Sequence, residues 1–283
     1  KGGGNSYDVI IPSDYMVARM GEEGLLMELD YSKIPNAENI DPRYLNPAYD
    51  TEQKYSLPYM WGTTGIIYNT TMVDKAPTSW MDLFTTDLKG QVLIFDNPRD
   101  CIGLALKALG YSFNTTDKDQ IAEATDLLIK QKEDGIVQAY VMDQIFDKMI
   151  NNEAAMGTYY AGDYLTMVEE NPDLAFVQPE EGSNLFVDAM CIPTCSKNYE
   201  DALAFINFMC RDDIVLRNCD ETGYSCPSAT ALEEMDEEMA TDPVAYPGED
   251  ILDKAETFGG LPEETLTFYD HEWIRICLAK VKY

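Results

Sequence analysis

Apolar residues along this chain fall in short runs that alternate with amphipathic stretches, the pattern of βα units and an α/β fold. Residues 7–13, YDVIIPS, read as a buried strand ending at a proline, and the segment from Tyr15 to Met27 has helical character. Residues 54–69, KYSLPYMWGTTGIIYN, read as two extended pieces around a small-residue centre, and 91–97, QVLIFDN, as a strand running into a turn. In DCIGLALKALG (100–110) the apolar or small residues at 101, 104, 105, 108 and 109 keep helical spacing, and Gly110 is a natural stop. Ile121–Lys132 predicts another helix. The clearest helix is NYEDALAFINFMC (198–210). Asn198 can cap it, Asp201 suits its first turn, and positions 202, 205, 206, 209 and 210 form one apolar stripe. The acidic run LEEMDEEMATD (232–242) is expected to be a solvated helical face. No internal repeat or low-complexity linker interrupts the pattern. Two domains therefore need not be consecutive halves, and the chain is free to cross between lobes more than once.

Composition bounds this picture. The chain has 283 residues, 45% of them apolar or aromatic, enough to bury the core of one large domain or two medium ones. No stretch approaches the roughly 18 to 20 unbroken apolar residues of a membrane helix. No basic start leads into an apolar run, so no signal peptide is expected here. The opening residues, KGGGNSYDV, read as the interior of a domain. Twenty basic and 51 acidic residues give a formal net charge of −31, which argues against nucleic acid as a partner. An acidic field attracts cations, although by itself such charge only keeps a protein soluble. Seven cysteines, at 101, 191, 195, 210, 219, 226 and 277, include no CxxC pair, and the single histidine is His271, so a zinc site is not expected. Most of the cysteines read as small buried hydrophobes. Cys219 and Cys226 flank a turn and could pair. The chain has no Walker loop, no GxGxxG and no GxSxG, and His271 falls in the terminal helical stretch YDHEWIR. Neither an enzyme nor a cofactor is expected.

Acids and aromatics gather instead at the ends of predicted strands. Ser13 and Tyr15 lie in PSDY, Asn97 and Asp100 in FDNPRD, and Tyr159, Tyr160 and Asp163 in YYAGD. Phe186 and Asp188 share FVD, and Tyr224 lies in the turn ETGYSCP. Open α/β sheets bind ligands at the carboxyl ends of their strands. An alkyl diamine or triamine needs acids for its ammonium ends and aromatic faces for its methylene chain and for cation–π attraction. Any one of these residues reads equally well as a capping Asp or a core-edge Tyr. Their joint arrangement is what points to such a ligand.

At these same residues the sequence resembles the spermidine/putrescine-binding proteins of bacterial polyamine importers. The matching stretches run along nearly the whole chain: YDVIIPSDYMVARM, YSLPYMWGTTGIIYN, PTSWMDLF, LKGQVLIFDNPRD, LALKALGYSFNTTD, FVDAMCIPTCSKN, ALAFINFMCR and ETGYSCP. PTSWMDLF alone is common to many extracellular solute-binding proteins, whereas the ordered set is specific to the polyamine group. The resemblance implies an α/β, two-lobed periplasmic-binding-protein fold with a ligand cleft between lobes. By its mapping, lobe one is 1–62 plus 187–231 and lobe two is 63–186 plus 232–283. The crossings then fall at 61–63, near 186–187 and after Tyr224.

Carried over by position, Ser13 and Tyr15 match the family's Ser-x-Tyr, and Asp188 matches the central carboxylate that holds an amine. Phe186 matches an aromatic that is Trp or Phe, Tyr224 a pocket Tyr, and Asp100 an acidic amine ligand that is usually Glu. Tyr160 takes a place usually filled by Trp. Asn97 stands where spermidine binders carry Asp, and Asp163 matches an acid of putrescine-preferring members. The family's first stretch, a strand and a Trp/Tyr pair that stack on the ligand, has no counterpart in these residues. The implied partners are a polyamine and the membrane permease of an ABC importer. The implied place is extracytoplasmic, in the periplasm or at the outer face of the cell membrane, and a monomer is expected. The alternative on the same fold is ferric iron or another small ligand. Iron-binding relatives use an adjacent tyrosine pair such as Tyr159-Tyr160, although strand alternation should point those two side chains apart unless the backbone kinks.

Overall fold

The structure, a computed structural model, describes residues 6–281. The glycine-rich start of the first lobe segment and the last two residues of the final one lie outside the described residues. In chain order the elements are α1 (Asp14–Glu22), β1 (Ser56–Asn69), α2 (Asp82–Thr85), β2 (Val92–Phe95), α3 (Pro98–Ala108), α4 (Lys118–Glu133), β3 (Val137–Val141), α5 (Gln144–Ile150), β4 (Met156–Tyr160), α6 (Ala161–Glu170), β5 (Leu174–Val177), β6 (Leu185–Cys191), α7 (Tyr199–Met209), α8 (Asp212–Thr222), α9 (Ala229–Glu234), α10 (Glu237–Ala240), α11 (Glu249–Leu252) and α12 (Glu263–Leu278).

The chain divides into two compact units. Unit 1 is Lys1–Gly62, Leu185–Pro247 and Thr257–Gly260, and unit 2 is Thr63–Asn184, Gly248–Glu256 and Leu261–Tyr283. This corrects the expectation that everything after residue 231 belongs to the second lobe. The stretch up to Pro247 stays with unit 1 because it is tied there. Ser225 Oγ donates to the Ala245 carbonyl, Cys226 N–H donates to Tyr246 Oη at 3.2 Å, and the Trp61 and Tyr246 rings meet edge-on at 5.9 Å. Phe258 returns to the same unit against Tyr15, with ring centroids 6.1 Å apart. The intervening residues are held in unit 2 by Glu256. Its carboxylate takes Lys107 Nζ at 2.6 Å, its N–H donates to the Ser183 carbonyl, and its carbonyl accepts from Asn184 Nδ2.

Unit 2 carries strands in the order β3-β2-β4-β1-β5. Strand β2 is parallel to both β3 and β4, whereas β1 runs antiparallel to β4 and β5. All four residues of β2, Val-Leu-Ile-Phe, are buried, as a central parallel strand covered on both faces requires. Helix α3 packs on α4 and α12, and every residue from Arg99 to Lys107 is buried. Its sequence sets both ends: Asn97 caps it, Pro98 supplies the fixed φ of the first turn, and Gly110 leaves it at φ 82°. Unit 1 packs Leu57, Met190 and Ile192 against Ala202, Leu203 and Ile206 of α7.

Several local expectations change. Residues 7–13 form no regular strand. They make isolated antiparallel bridges, Ile10 to Cys191 and Ser13 to Asp188, because Pro12 lacks the N–H a continuous ladder needs. The following helix is shorter than Tyr15–Met27: it ends at Glu22, and Gly24 turns the chain at φ 65°. Residues 56–69 are one strand of 14 residues rather than two pieces. In α7 the buried stripe is rotated. Leu203 is inside, whereas Phe205 and Phe208 are 45% and 42% exposed. Asn198 does not cap that helix with its side chain, because its Nδ2 donates to Asp8 Oδ2 at 3.0 Å instead. The acidic run 232–242 breaks into α9 and α10, and its acids are exposed except Asp242, which is half-buried. His271 is exposed on α12.

Candidate functional site

The candidate residues fall into two sets, one in each unit. In unit 1 the bridge between Ser13 and Asp188 places the two side chains together. Ser13 stands immediately before α1, where its hydroxyl would ordinarily cap the helix. It donates instead to Asp188 Oδ1 at 2.8 Å. Asp188 is half-buried, and this burial pushes its carboxyl above the usual carboxylate range, with the Ser13 hydrogen bond pulling the other way. No Lys or Arg among the described residues forms an ion pair with it. A carboxylate so placed lacks the cation that would compensate its desolvation.

Two residues earlier on β6, Phe186 meets Tyr224 edge to face, with centroids 5.7 Å apart and planes at 85°. Gly62 makes room for that pair: a Cβ there would lie 2.8 Å from Phe186 Cζ and 3.6 Å from Tyr224 Cδ1. Tyr15, in the first turn of α1, is half-buried with its ring edge-on to Phe258. The start of α1 is fixed from below by Asp14. This buried carboxylate accepts from its neighbour Tyr15 N–H at 2.6 Å and from Val187 N–H at 3.4 Å, which joins α1 to β6 beside Asp188. Phe258 and Asp14 were not read from the sequence. Phe258 lies far along the chain in a stretch without periodicity, and Asp14 reads as an ordinary first-turn acid.

In unit 2, β3, β2 and β4 are parallel neighbours, so their carboxyl ends share one edge of the sheet. Residues that follow those ends are Asn97 and Asp100 after β2, Asp143 after β3, and Tyr160 and Asp163 after β4. Asn97 Oδ1 accepts from Asp100 N–H at 2.8 Å and so is engaged as the cap of α3. The Asp100 carboxyl is buried, and burial raises it to about 6 against the lowering effects of the Asn97 hydrogen bond and the nearby Arg99 charge. Tyr160, the last residue of β4, is half-buried with its ring 5.2 Å from Phe95. Asp163 sits in the first turn of α6.

Tyr159 is buried, and its hydroxyl donates to Asp143 Oδ1 at 3.1 Å. Burial holds the Tyr159 phenol well above its usual range, and the charges of Asp163, Asp143 and Asp100 add to the effect. Three carboxylates therefore act on one hydroxyl. Asp143 escaped the sequence reading, although VQAYVMD ends a strand with an acid just as FDNPRD does. Tyr159 and Tyr160 do not diverge, the exception that a backbone kink allows. Their ring centroids are 4.9 Å apart because Tyr160 closes the strand and begins the turn into α6, where alternation no longer applies.

Residues 1–247 match the model of the bacterial extracellular solute-binding protein family. The chain is 35% identical over 252 residues to the spermidine/putrescine-binding periplasmic protein of Escherichia coli strain K12, covering 89% of this chain and 72% of that one. It is 33% identical over 281 residues to spermidine/putrescine-binding periplasmic protein 1 of Haemophilus influenzae, covering 99% and 77%. The crystal structure of the spermidine/putrescine ABC transporter substrate-binding protein PotD from Streptococcus pneumoniae, in complex with calcium and HEPES, matches with a TM-score of 0.87 and 40% identity. That match covers 98% of this chain and 85% of that one.

Proposed function

Because the chain belongs to the bacterial extracellular solute-binding protein family, we propose that it binds linear polyamines outside the cell membrane and presents them to the permease of an ABC importer. The observation that carries this reading is Asp188, a half-buried carboxylate held by Ser13 and lacking a basic partner among the described residues. An alkylammonium group supplies the missing charge, and the charge-assisted hydrogen bond it forms is stronger than a neutral one. Phe186, Tyr224 and Tyr15 supply apolar ring faces for the methylene chain, with cation–π attraction for the ammonium. In unit 2 we assign a further ammonium-binding role to Asp100 and Asp163, with Tyr160 as the aromatic neighbour. Asn97 contributes an amide rather than a charge.

The site's own groups bind and release, with no chemical step. Binding an ammonium favours the ionised form of Asp188 and so opposes the effect of burial on its carboxyl. Spermidine and putrescine are both accepted on this reading, since Asp163 serves a diamine while the uncharged Asn97 gives a third amine less. The ferric reading gains nothing from the tyrosine pair, because the Tyr159 hydroxyl is already given to Asp143.

The test is a thermal-shift and calorimetric titration with spermidine and putrescine. A ligand at roughly 100 times its dissociation constant adds about 2.7 kcal/mol of stability. Asp188→Asn should weaken binding by about tenfold or more, since truncating one partner of a buried charge pair costs roughly 2 to 5 kcal/mol. The ligand-free variant should be at least as stable as the parent, because the desolvated charge is gone. A flat response to both polyamines at millimolar concentration overturns the reading.

A further inference from the structure

All seven cysteines carry free thiols in this structure, yet Cys219 and Cys226 share one buried cluster. Cys219 sits in the last turn of α8. Gly223, at φ 71°, closes that helix in the left-handed conformation with its N–H on the Cys219 carbonyl at 2.8 Å. The reversal sends the chain back, and paired backbone bonds between Trp61 and Ser225 fix its position. Trp61 Nε1 then donates to the Cys226 carbonyl at 2.9 Å. Both cysteines enter one buried cluster with Val215 and Ala231, and their exposures are 0% and 3%. The Cys226 sulfur accepts from Tyr246 Oη at 3.6 Å. The mutual influence of the two cysteines holds the Cys226 thiol below its usual range and Cys219 above its own, and burial raises both. Cys210, by contrast, is simply pushed up to about 12 by burial.

We infer that Cys219 and Cys226 join as a disulfide in the exported protein, through exchange with an external disulfide. The family is extracellular, and disulfides form and persist on that side of the membrane. In the exchange, the Cys226 thiolate attacks one sulfur of the external disulfide and expels the other as a thiolate. Cys219 then gives up its proton, attacks the Cys226 sulfur of the mixed disulfide, and releases the second external thiolate. The two cysteines lose two electrons and two protons, and the external disulfide gains them as two thiols. Burial closes the folded pair to such reagents, so the exchange belongs to folding, before α8 and the residues around Tyr246 pack. The bond fastens the turn that carries Tyr224. It does not depend on the polyamine reading.

The experiment refolds the full chain with oxidised glutathione, denatures it without reductant and alkylates it with iodoacetamide. The product is then reduced and treated with N-ethylmaleimide. Trypsin places both cysteines in one peptide, residues 218–254, which is read by mass spectrometry. The inference expects both Cys219 and Cys226 to carry the maleimide and the other five cysteines to carry the first label. Iodoacetamide on both Cys219 and Cys226 overturns it. As a second readout, reductant should lower the melting temperature of the oxidised parent and leave that of the Cys219→Ser/Cys226→Ser variant unmoved. An equal fall in both would assign the reducible bond elsewhere and sink the inference.

Discussion

Asp100 carries a desolvation cost that its neighbours only partly offset. Burial raises its carboxyl to about 6, despite the Asn97 hydrogen bond and the Arg99 charge. The native chain therefore holds this proton more tightly than the unfolded chain, whose carboxyl titrates near its ordinary value of about 4. Stability from this group is present below the unfolded value and is lost as pH rises through the native one. Asp100→Asn should accordingly stabilise the ligand-free protein at pH 8, by an amount on the order of 2 kcal/mol. The advantage should fade as the pH falls from about 6 to about 4. Urea unfolding of parent and variant at both ends of that range measures it, and equal stability at pH 8 would show that burial is not the dominant cause. The sequence made Asp100 visible through FDNPRD but left its role open between cap and ligand. Asp143 stayed hidden because its partner, the Tyr159 hydroxyl, lies on another strand, and nothing in local spacing marks that pairing.

Elements with a strong period or explicit end signals were readable. Helix α3 has its cap, its N1 proline and its terminal glycine in the order chain physics prefers, and it forms close to where the sequence placed it. Elements whose fate depends on a distant neighbour were not. Residues 7–13 have strand composition but pair only at single bridges, and α7 turns its phenylalanines outward because Leu203 fits the core of unit 1. The cap of α3 gives a test at this scale. Asn97→Ala removes the acceptor for Asp100 N–H and should cost about 1 kcal/mol in denaturant unfolding. Asn97→Asp keeps an acceptor there, so it should retain most of that stability while adding a charge to the carboxyl edge. Affinity for spermidine should then rise relative to putrescine. A loss of stability as large as that of the alanine variant would mean that capping is not what Asn97 does.

For the whole molecule, the formal charge of −31 bears on how fast a cation arrives more than on how tightly it is held. The association rate of spermidine should fall steeply when salt rises from about 10 mM to about 500 mM, because the Debye length shrinks several-fold, while the dissociation rate changes little. Stopped-flow fluorescence reads both rates, and an association rate indifferent to salt would reduce the charge to a solubility device. Family and two-lobed fold were legible in the ordered motifs. The exact division was not, because the segments around Tyr246 and Glu256 are sorted by single hydrogen bonds and ring contacts rather than by any periodicity. That interleaved division has a further consequence for an exported chain, which leaves the membrane amino end first. Most of unit 2 is one continuous stretch, Thr63–Asn184, and holds β2 to β5 with their helices. It can collapse on its own strands as soon as it emerges. Residues up to Gly62 emerge ahead of that stretch, yet they find β6 and α7 only after Thr63–Asn184 has passed, and Phe258 later still. The segment up to Gly62 is thus sheltered later than the stretch that follows it, and it stays open meanwhile to folding factors or proteases outside.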